Sequence, residues 1–376
     1  MPNGGPHHCG NCRHFRNDIC SIRNEEIEIT HWTTCHNWNT SKLTPAGVIF
    51  AIVGEVKNKA VAYGNIPYYN GLRVDTFQEG NNDTSVAWES KDGRKLVFKD
   101  VKEYLNFYDK EQKKKKQYIM GAIIGDIIGS VYEWYNVKTT DFKLFSKQTD
   151  FTDDSVLTFA TMDCILNDVG YAKVYQTYGR NFPGRGYGSY FASWVYNEDL
   201  GPYQSFGNGS AMRVSPVGWA YNSIDEVLKQ AKRSAEVSHN HPEGIKGAQA
   251  TASAIFLART GKSKIEIKEF IDVMFDYNLN RSIKEIRPIY QYDVTCQGSV
   301  PEAIIAFLES TDYESAIRLA ISIGGDSDTI ACITGGIAEA FYKEIPEYIV
   351  ENALRVLPAE IIKLIEEFSN RYREGK

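Results

Sequence analysis

No stretch of this 376-residue chain has the length and apolar purity needed to cross a bilayer, which takes about 20 residues. The most apolar early run, 119–132, is shorter and is interrupted by Asp126. The first residues, MPNGGPHHCGNC, lack the charged-then-apolar order of a signal peptide, so a cytoplasmic location is expected. Positive charge is not in excess: 42 Lys and Arg face 48 Asp and Glu, which gives no global reason to expect a nucleic-acid partner. Cysteine is scarce beyond residue 35, where only Cys164, Cys296 and Cys332 remain, so no chain-wide disulfide framework is implied. Strand-like runs are nearly missing after Tyr118. A hydrophobic fraction of 43% with 24% charged residues nevertheless excludes wholesale disorder, and the length suits one large domain plus smaller units.

Three zones and a linker are expected. Residues 1–42 hold Cys9-x2-Cys12-x7-Cys20-x14-Cys35, a four-thiolate set with one short knuckle. That spacing suits a structural zinc ion, with an iron–sulfur cluster or free thiols as alternatives, and a segment so poor in apolar residues needs such a staple. His7, His8 and His14 are spare ligand candidates. Residues 43–109 alternate β-favouring runs, such as 48–53 and 95–98, with turn signals at Asn70-Gly71, Glu79-Gly80 and Asp92-Gly93, which points to a small β-rich unit of unknown function. Residues 110–117 form a lysine-rich linker, a like-charge run best read as solvated. Residues 118–376 then carry helix-period apolar segments, including 156–166, 224–237, 248–258, 265–277, 301–308, 313–323, 330–342 and 349–368. The expected fold class is thus an all-α catalytic domain of many helices, preceded by the Cys-rich module and the β-rich unit.

Two acidic clusters sit where helices are expected to begin: Thr152-Asp153-Asp154-Ser155 and Asp326-Ser327-Asp328-Thr329. Capping explains part of each, because Thr, Ser and Asp at a helix start accept orphan N–H groups. It leaves the doubled charge unexplained, since neighbouring carboxylates repel unless a cation sits between them. Oxygen clusters of this kind suit Mg²⁺, Mn²⁺ or Ca²⁺ rather than zinc. A third element is GAIIGDIIGS (121–130), whose glycines recur every four residues and form one smooth helix face for close backbone approach. Asp126 and Glu133 are seven apart and share a side of that helix if it continues so far.

From Met120 onward the chain resembles the ADP-ribosylglycohydrolases. The resemblance runs through GDIIGSVYE (125–133), FTDDS (151–155), RGYG (185–188), FGNGSAMRVSP (206–216), EVSHNHPEGIKGA (236–248) and GGDSDT (324–329), six motifs in order. Ser155 departs from the family pattern, where a second Thr is usual, but keeps a hydroxyl. The resemblance implies an all-helical fold holding two Mg²⁺ or Mn²⁺ ions, with Thr152, Asp153, Asp154, Asp326, Asp328 and Thr329 as ligands. It places Glu133 on a mobile segment near the substrate ribose and allows Asp126 to support the site through a hydrogen bond. The implied reaction is hydrolysis of a glycosidic bond at the ribose carbon through an oxocarbenium-like state. Metal ions can fix the ribose hydroxyls and acidify water, and Asp153 or Asp154 is the expected base. Gly186-Tyr187-Gly188 and Gly207-Asn208-Gly209-Ser210 are expected to bring backbone N–H groups to the pyrophosphate, glycine lacking the Cβ that blocks approach. Met212 and Arg213 follow in the family pattern, and His239 matches a histidine near the diphosphate or distal ribose, with His241 as a competing alignment.

The expected partner is an ADP-ribosylated protein, nucleobase or small molecule. Two alternatives stand beside the enzyme: a catalytically silent ADP-ribose reader, which would lose metal ligands while every ligand position here is filled, and a zinc-tethered nucleic-acid adaptor, which would need a basic face in the first 116 residues. A two-metal phosphoesterase would fit the carboxylates alone but not the ordered motifs.

Overall fold

The computed structural model describes residues 118–373 and six strands ahead of them. The chain divides into two units, Met1–Lys116 and Gln117–Lys376. In the first, β1 (Phe15–Arg16), β2 (Ile19–Cys20) and β3 (Glu25–Glu26) pair antiparallel in sequence order. β4 (Leu72–Phe77), β5 (Ser85–Ser90) and β6 (Lys95–Phe98) do the same, with Val74 opposite Trp88 and Trp88 opposite Leu96. The proposed zinc ligands Cys9, Cys12 and Cys35, the side chain of Cys20, the run 48–53 and the linker 110–117 lie outside the described residues.

The second unit is all-helical, with fifteen helices among the described residues. They are α1 (Gly121–Gly129), α2 (Asp153–Asn167), α3 (Tyr171–Asn181), α4 (Ser189–Val195), α5 (Gly209–Met212), α6 (Ser215–Ala220), α7 (Ile224–Glu236), α8 (Pro242–Arg259), α9 (Lys264–Phe275), α10 (Ile283–Ile286), α11 (Cys296–Glu309), α12 (Tyr313–Ile323), α13 (Ser327–Tyr342), α14 (Glu347–Leu354) and α15 (Ala359–Tyr372). Local chemistry sets many of the starts. Ser263 with Glu266 and Ser282 with Glu285 form reciprocal capping boxes on α9 and α10, and Pro242 occupies the first turn of α8 behind the N-cap His241. Among the described residues, no helix is long and apolar enough to cross a membrane.

α13 is mostly apolar or small, and every residue from Ser327 to Ala340 is buried, Asp328 and Glu339 included. Its closest neighbour is α1. The four-residue glycine spacing of α1 is what allows this: a Cβ on Gly125 would stand 2.0 Å from the Ala331 carbonyl oxygen, and one on Gly129 2.4 Å from Asp328 Cα. Glu339 of α13 then closes the start of α1, its Oε2 accepting from the N–H groups of Met120 (3.1 Å) and Gly121 (2.6 Å) while Oε1 meets Arg373 at 2.6 Å. Because the atoms facing Gly125 are α13 backbone, Gly125→Ala has no side chain to displace. It is expected to destabilise the unit by about 1–3 kcal/mol, the range of core over-packing. Thermal unfolding measures this, and an unchanged midpoint would contradict backbone contact between α1 and α13.

Two sequence expectations are corrected here. The segment 349–368 is not one helix: α14 ends at Leu354 and α15 begins at Ala359, with Pro358 as its N-cap, because proline removes an N–H and pushes the residue before it out of helical geometry. α1 stops at Gly129, so Glu133 does not share a helix side with Asp126 but reaches the site from a turn. Helices α3 and α4, and the short α5, α6 and α10, were not anticipated from periodicity; the short ones span too few residues to show one.

Candidate active site

The starts of α2, α5 and α13 open on one cavity of about 650 Å³, a volume typical of small-molecule sites. Of the residues singled out in the sequence, it is lined by Glu133, Thr152, Asp153, Asp154, Asp326, Asp328 and Thr329, and also by Gly186, Gly188, Gly207, Asn208, Gly209, Met212 and His239. The side chains of Tyr187 and Ser210 go elsewhere. The Tyr187 hydroxyl donates to the Phe182 carbonyl (2.9 Å), and the Ser210 hydroxyl to the Gly244 carbonyl (2.7 Å).

The start of α2 is built on Asp126 of α1. That carboxylate accepts from the N–H groups of Thr152 (3.0 Å) and Ser155 (3.1 Å), from the Thr152 hydroxyl (2.6 Å) and from the Ser155 hydroxyl. The hydroxyl retained at Ser155 is therefore used. Burial raises the Asp126 carboxyl to about 6 even against these bonds. Thr152 caps the helix, its Oγ1 accepting from Asp154 N–H at 3.3 Å. With Thr152 and Asp126 satisfying the helix start, Asp153 and Asp154 are left facing the cavity. Gly186, at φ +101°, passes close by: a Cβ there would stand 3.1 Å from Asp153 Oδ1.

The start of α13 follows a corner that only glycine adopts easily, Gly324 and Gly325 having φ of +77° and +75°. A Cβ on Gly325 would also meet the Tyr290 ring at 2.5 Å. Asp326 holds the N-cap position without capping, and its Oδ2 instead accepts from the Asn208 amide at 2.6 Å. Asn136 ties the Glu133 turn to this corner, donating to the Glu133 and Gly325 carbonyls and accepting from Gly325 N–H at 2.6 Å. Tyr292 donates to Glu133 Oε1 at 2.9 Å. Oxygens of Glu133, Asp326 and Asp328 consequently fall within 4.8 Å of one another.

Electrostatics separates capping from metal binding. Buried carboxylates elsewhere have cationic partners: Arg281 pairs with Glu302 and Arg373 with Glu339, each at 2.6 Å. Among the described residues, Asp126, Glu133, Asp153, Asp154, Asp326 and Asp328 form no ion pair. Burial, reinforced by the neighbouring acids, holds Asp153, Asp154 and Asp328 well above the ordinary carboxyl range, and burial also raises Glu133 and Asp326. Asp154 Oδ2 and Asp328 Oδ1 are buried with no hydrogen-bond partner. Orphaned buried carboxylate oxygens are costly, and a hard divalent cation is what this donor set fits.

The far end of the cavity has the opposite character. His239 is buried and its Nε2 faces the Gly207–Gly209 turn, while burial and the Arg213 charge keep the imidazole neutral. The two histidines of this region are thereby distinguished: His241 caps α8, its Nδ1 accepting from Glu243 N–H at 3.1 Å. Tyr292, Asn136 and Ser238 were not picked out from sequence. Each acts across the chain or through an unremarkable residue type, and no spacing rule signals that.

The ADP-ribosylglycohydrolase family model matches residues 109–376. ADP-ribosylhydrolase ARH3 of Mus musculus is 27% identical over 61% of this chain and 84% of its own length, and the Homo sapiens protein is 28% identical over 61% and 86%. A putative ADP-ribosyl glycohydrolase of Acanthamoeba polyphaga mimivirus is 26% identical over 64% of this chain and 91% of its own. A solved structure described as an ADP-ribosylglycohydrolase-related protein complex shares the fold, with a TM-score of 0.53 at 21% identity over 69% of this chain and 99% of that one. With the family match extending across the whole helical unit and relatives aligned through most of their length, the chain belongs to the ADP-ribosylglycohydrolases, hydrolases of glycosidic bonds.

Proposed function

We propose that this enzyme removes ADP-ribose from an acceptor, whether a protein side chain, a nucleobase or a small-molecule ester, by hydrolysing the bond at the anomeric ribose carbon. The observation that carries this reading is the set of unpaired buried carboxylates, two of them with orphaned oxygens, at one end of a cavity whose other end presents glycine backbone and a neutral histidine. Thr152, Asp153, Asp154, Asp326, Asp328 and Thr329 would hold two Mg²⁺ or Mn²⁺ ions. Bound there, the ions would fix the ribose hydroxyls and favour the charge that develops as the bond breaks. Asp153 or Asp154 would take the proton of the attacking water. Glu133, half-buried and held by Tyr292, closes the ribose end. The turns at Gly186–Gly188 and Gly207–Ser210, with Met212 and His239, take the diphosphate half.

Purified protein offered ADP-ribosylated arginine, serine and nucleic acid with Mg²⁺ or Mn²⁺ is expected to release free ADP-ribose from at least one. No release from any member of the panel, by protein that binds metal, would sink the reading. Residues 117–376 are expected to retain that activity without the first 116. The truncation has to keep Ile119, which is buried and donates to Ser369 Oγ at 2.7 Å. The zinc ion at Cys9, Cys12, Cys20 and Cys35 stays part of the proposal on spacing alone.

A further inference from the structure

Arg213 is fully buried, yet among the described residues no carboxylate pairs with it, and its Nε and Nη1 have no hydrogen-bond partner. Its guanidinium lies over the Tyr175 ring, 4.4 Å from the centroid. Nη2 donates to the Ser234 carbonyl (2.7 Å) and to Ser238 Oγ (3.0 Å). Ser238, also fully buried, has its Oγ 2.8 Å from His239 Nδ1. A buried cation held by carbonyls and a hydroxyl rather than by an acid is an expensive arrangement, and packing alone does not explain it.

The donor inventory limits the protons. A guanidinium only donates, so Ser238 Oγ accepts from Arg213, and its single proton goes either to His239 Nδ1 or to the Tyr203 hydroxyl, which also bonds the Ser238 side chain. Where Nδ1 is the acceptor, the ring proton sits on Nε2, the nitrogen that faces the cavity. A Cβ on Gly209 would stand 3.0 Å from Nε2 and one on Gly207 3.6 Å, so the glycines leave room in front of it. We propose that Arg213 and Ser238 are positioning residues that fix His239 as a neutral Nε2–H donor aimed at a phosphate oxygen of the substrate. The phosphate rests on the function proposed above; the proton assignment does not. The burial and the Arg213 charge that disfavour a second proton on His239 support the same assignment.

The test uses the full chain labelled with ¹⁵N-histidine, with long-range ¹H–¹⁵N correlation reporting which ring nitrogen carries the proton and His239→Gln identifying the resonance. Ligand-free wild-type protein is expected to show the Nε2–H form, Ser238→Ala to lose it, and Ser238→Thr, which keeps the hydroxyl, to recover it. ADP-ribose titrated into the same proteins is expected to bind Ser238→Ala about tenfold more weakly, and in turnover the loss should fall on KM rather than kcat. An Nδ1–H or cationic ring in the wild type, or an unchanged ring in Ser238→Ala, overturns the relay. A changed tautomer with unchanged affinity removes His239 from the binding contacts. If wild-type protein binds no ADP-ribose, the proposed function fails, and the tautomer pattern still decides the relay.

Discussion

Asp326→Asn and Asp328→Asn are each expected to cut hydrolysis about 10²- to 10³-fold while leaving the protein folded, the scale of losing one group devoted to transition-state charge. Asn preserves size and an acceptor oxygen but removes a negative charge. Asp326 sits at an N-cap without capping, and Asp328 keeps a buried oxygen with no partner, so a helix-capping role predicts nearly normal activity in both variants. Relief of repulsion among buried acids is expected to raise the melting temperature of each metal-free variant, while the stabilisation gained from added Mg²⁺ or Mn²⁺ shrinks. Near-wild-type turnover together with undiminished metal stabilisation in both would overturn the assignment of this motif.

Removal of divalent ions is expected to abolish turnover, and Mg²⁺ or Mn²⁺ to restore it. An ion at about 100 times its Kd stabilises the native state by about 2.7 kcal/mol, equivalent to roughly 5–10 °C in Tm for a unit of this size. The shift should depend on pH with a definite sign. Burial holds the site carboxyls above the ordinary range in the metal-free fold, Asp126 at about 6, so the native state binds more protons than the unfolded chain in that window. Metal-free protein therefore loses stability as pH rises from about 4 through 6 and beyond. Added ion, competing with those protons, should stabilise more at pH 7.5 than at pH 5. Full turnover in excess chelator after verified metal removal, or a metal-induced shift independent of pH, would contradict the assignment.

Much of the candidate site was legible because its chemistry is written locally. A doubled carboxylate at a helix start exceeds what capping needs, and in both motifs the excess groups face the cavity. Long periodic helices were legible for the same reason, with 313–323 matching α12 end to end. What escaped was non-local. Tyr292 holds Glu133 across 159 residues of chain, and Asn136 bonds Gly325 across 189. Such pairings follow from how helices pack, and one sequence carries no period that reports them. Whether Glu133 shares a helix with Asp126 stayed open because apolar periodicity does not say where a helix stops, and α1 ends at Gly129. His239 and His241 differ only in that one faces the cavity while the other caps α8.

The glycine-lined contact between α1 and α13 also acts as a spacer gauge. Asp126 and Asp328 stand on two helices whose main chains touch, with no layer of side chains between them to be compressed or repacked. The distance from α1 to the acidic start of α13 is thus set by hard atoms of the peptide chain, and the Asp126 side chain then carries the start of α2. A methylene lost from a surrounding isoleucine, such as Ile123 or Ile317, lowers stability without moving that gauge. Thermal tolerance and the α1–α13 spacing, usually coupled in a close-packed interior, are expected to be separable in this protein.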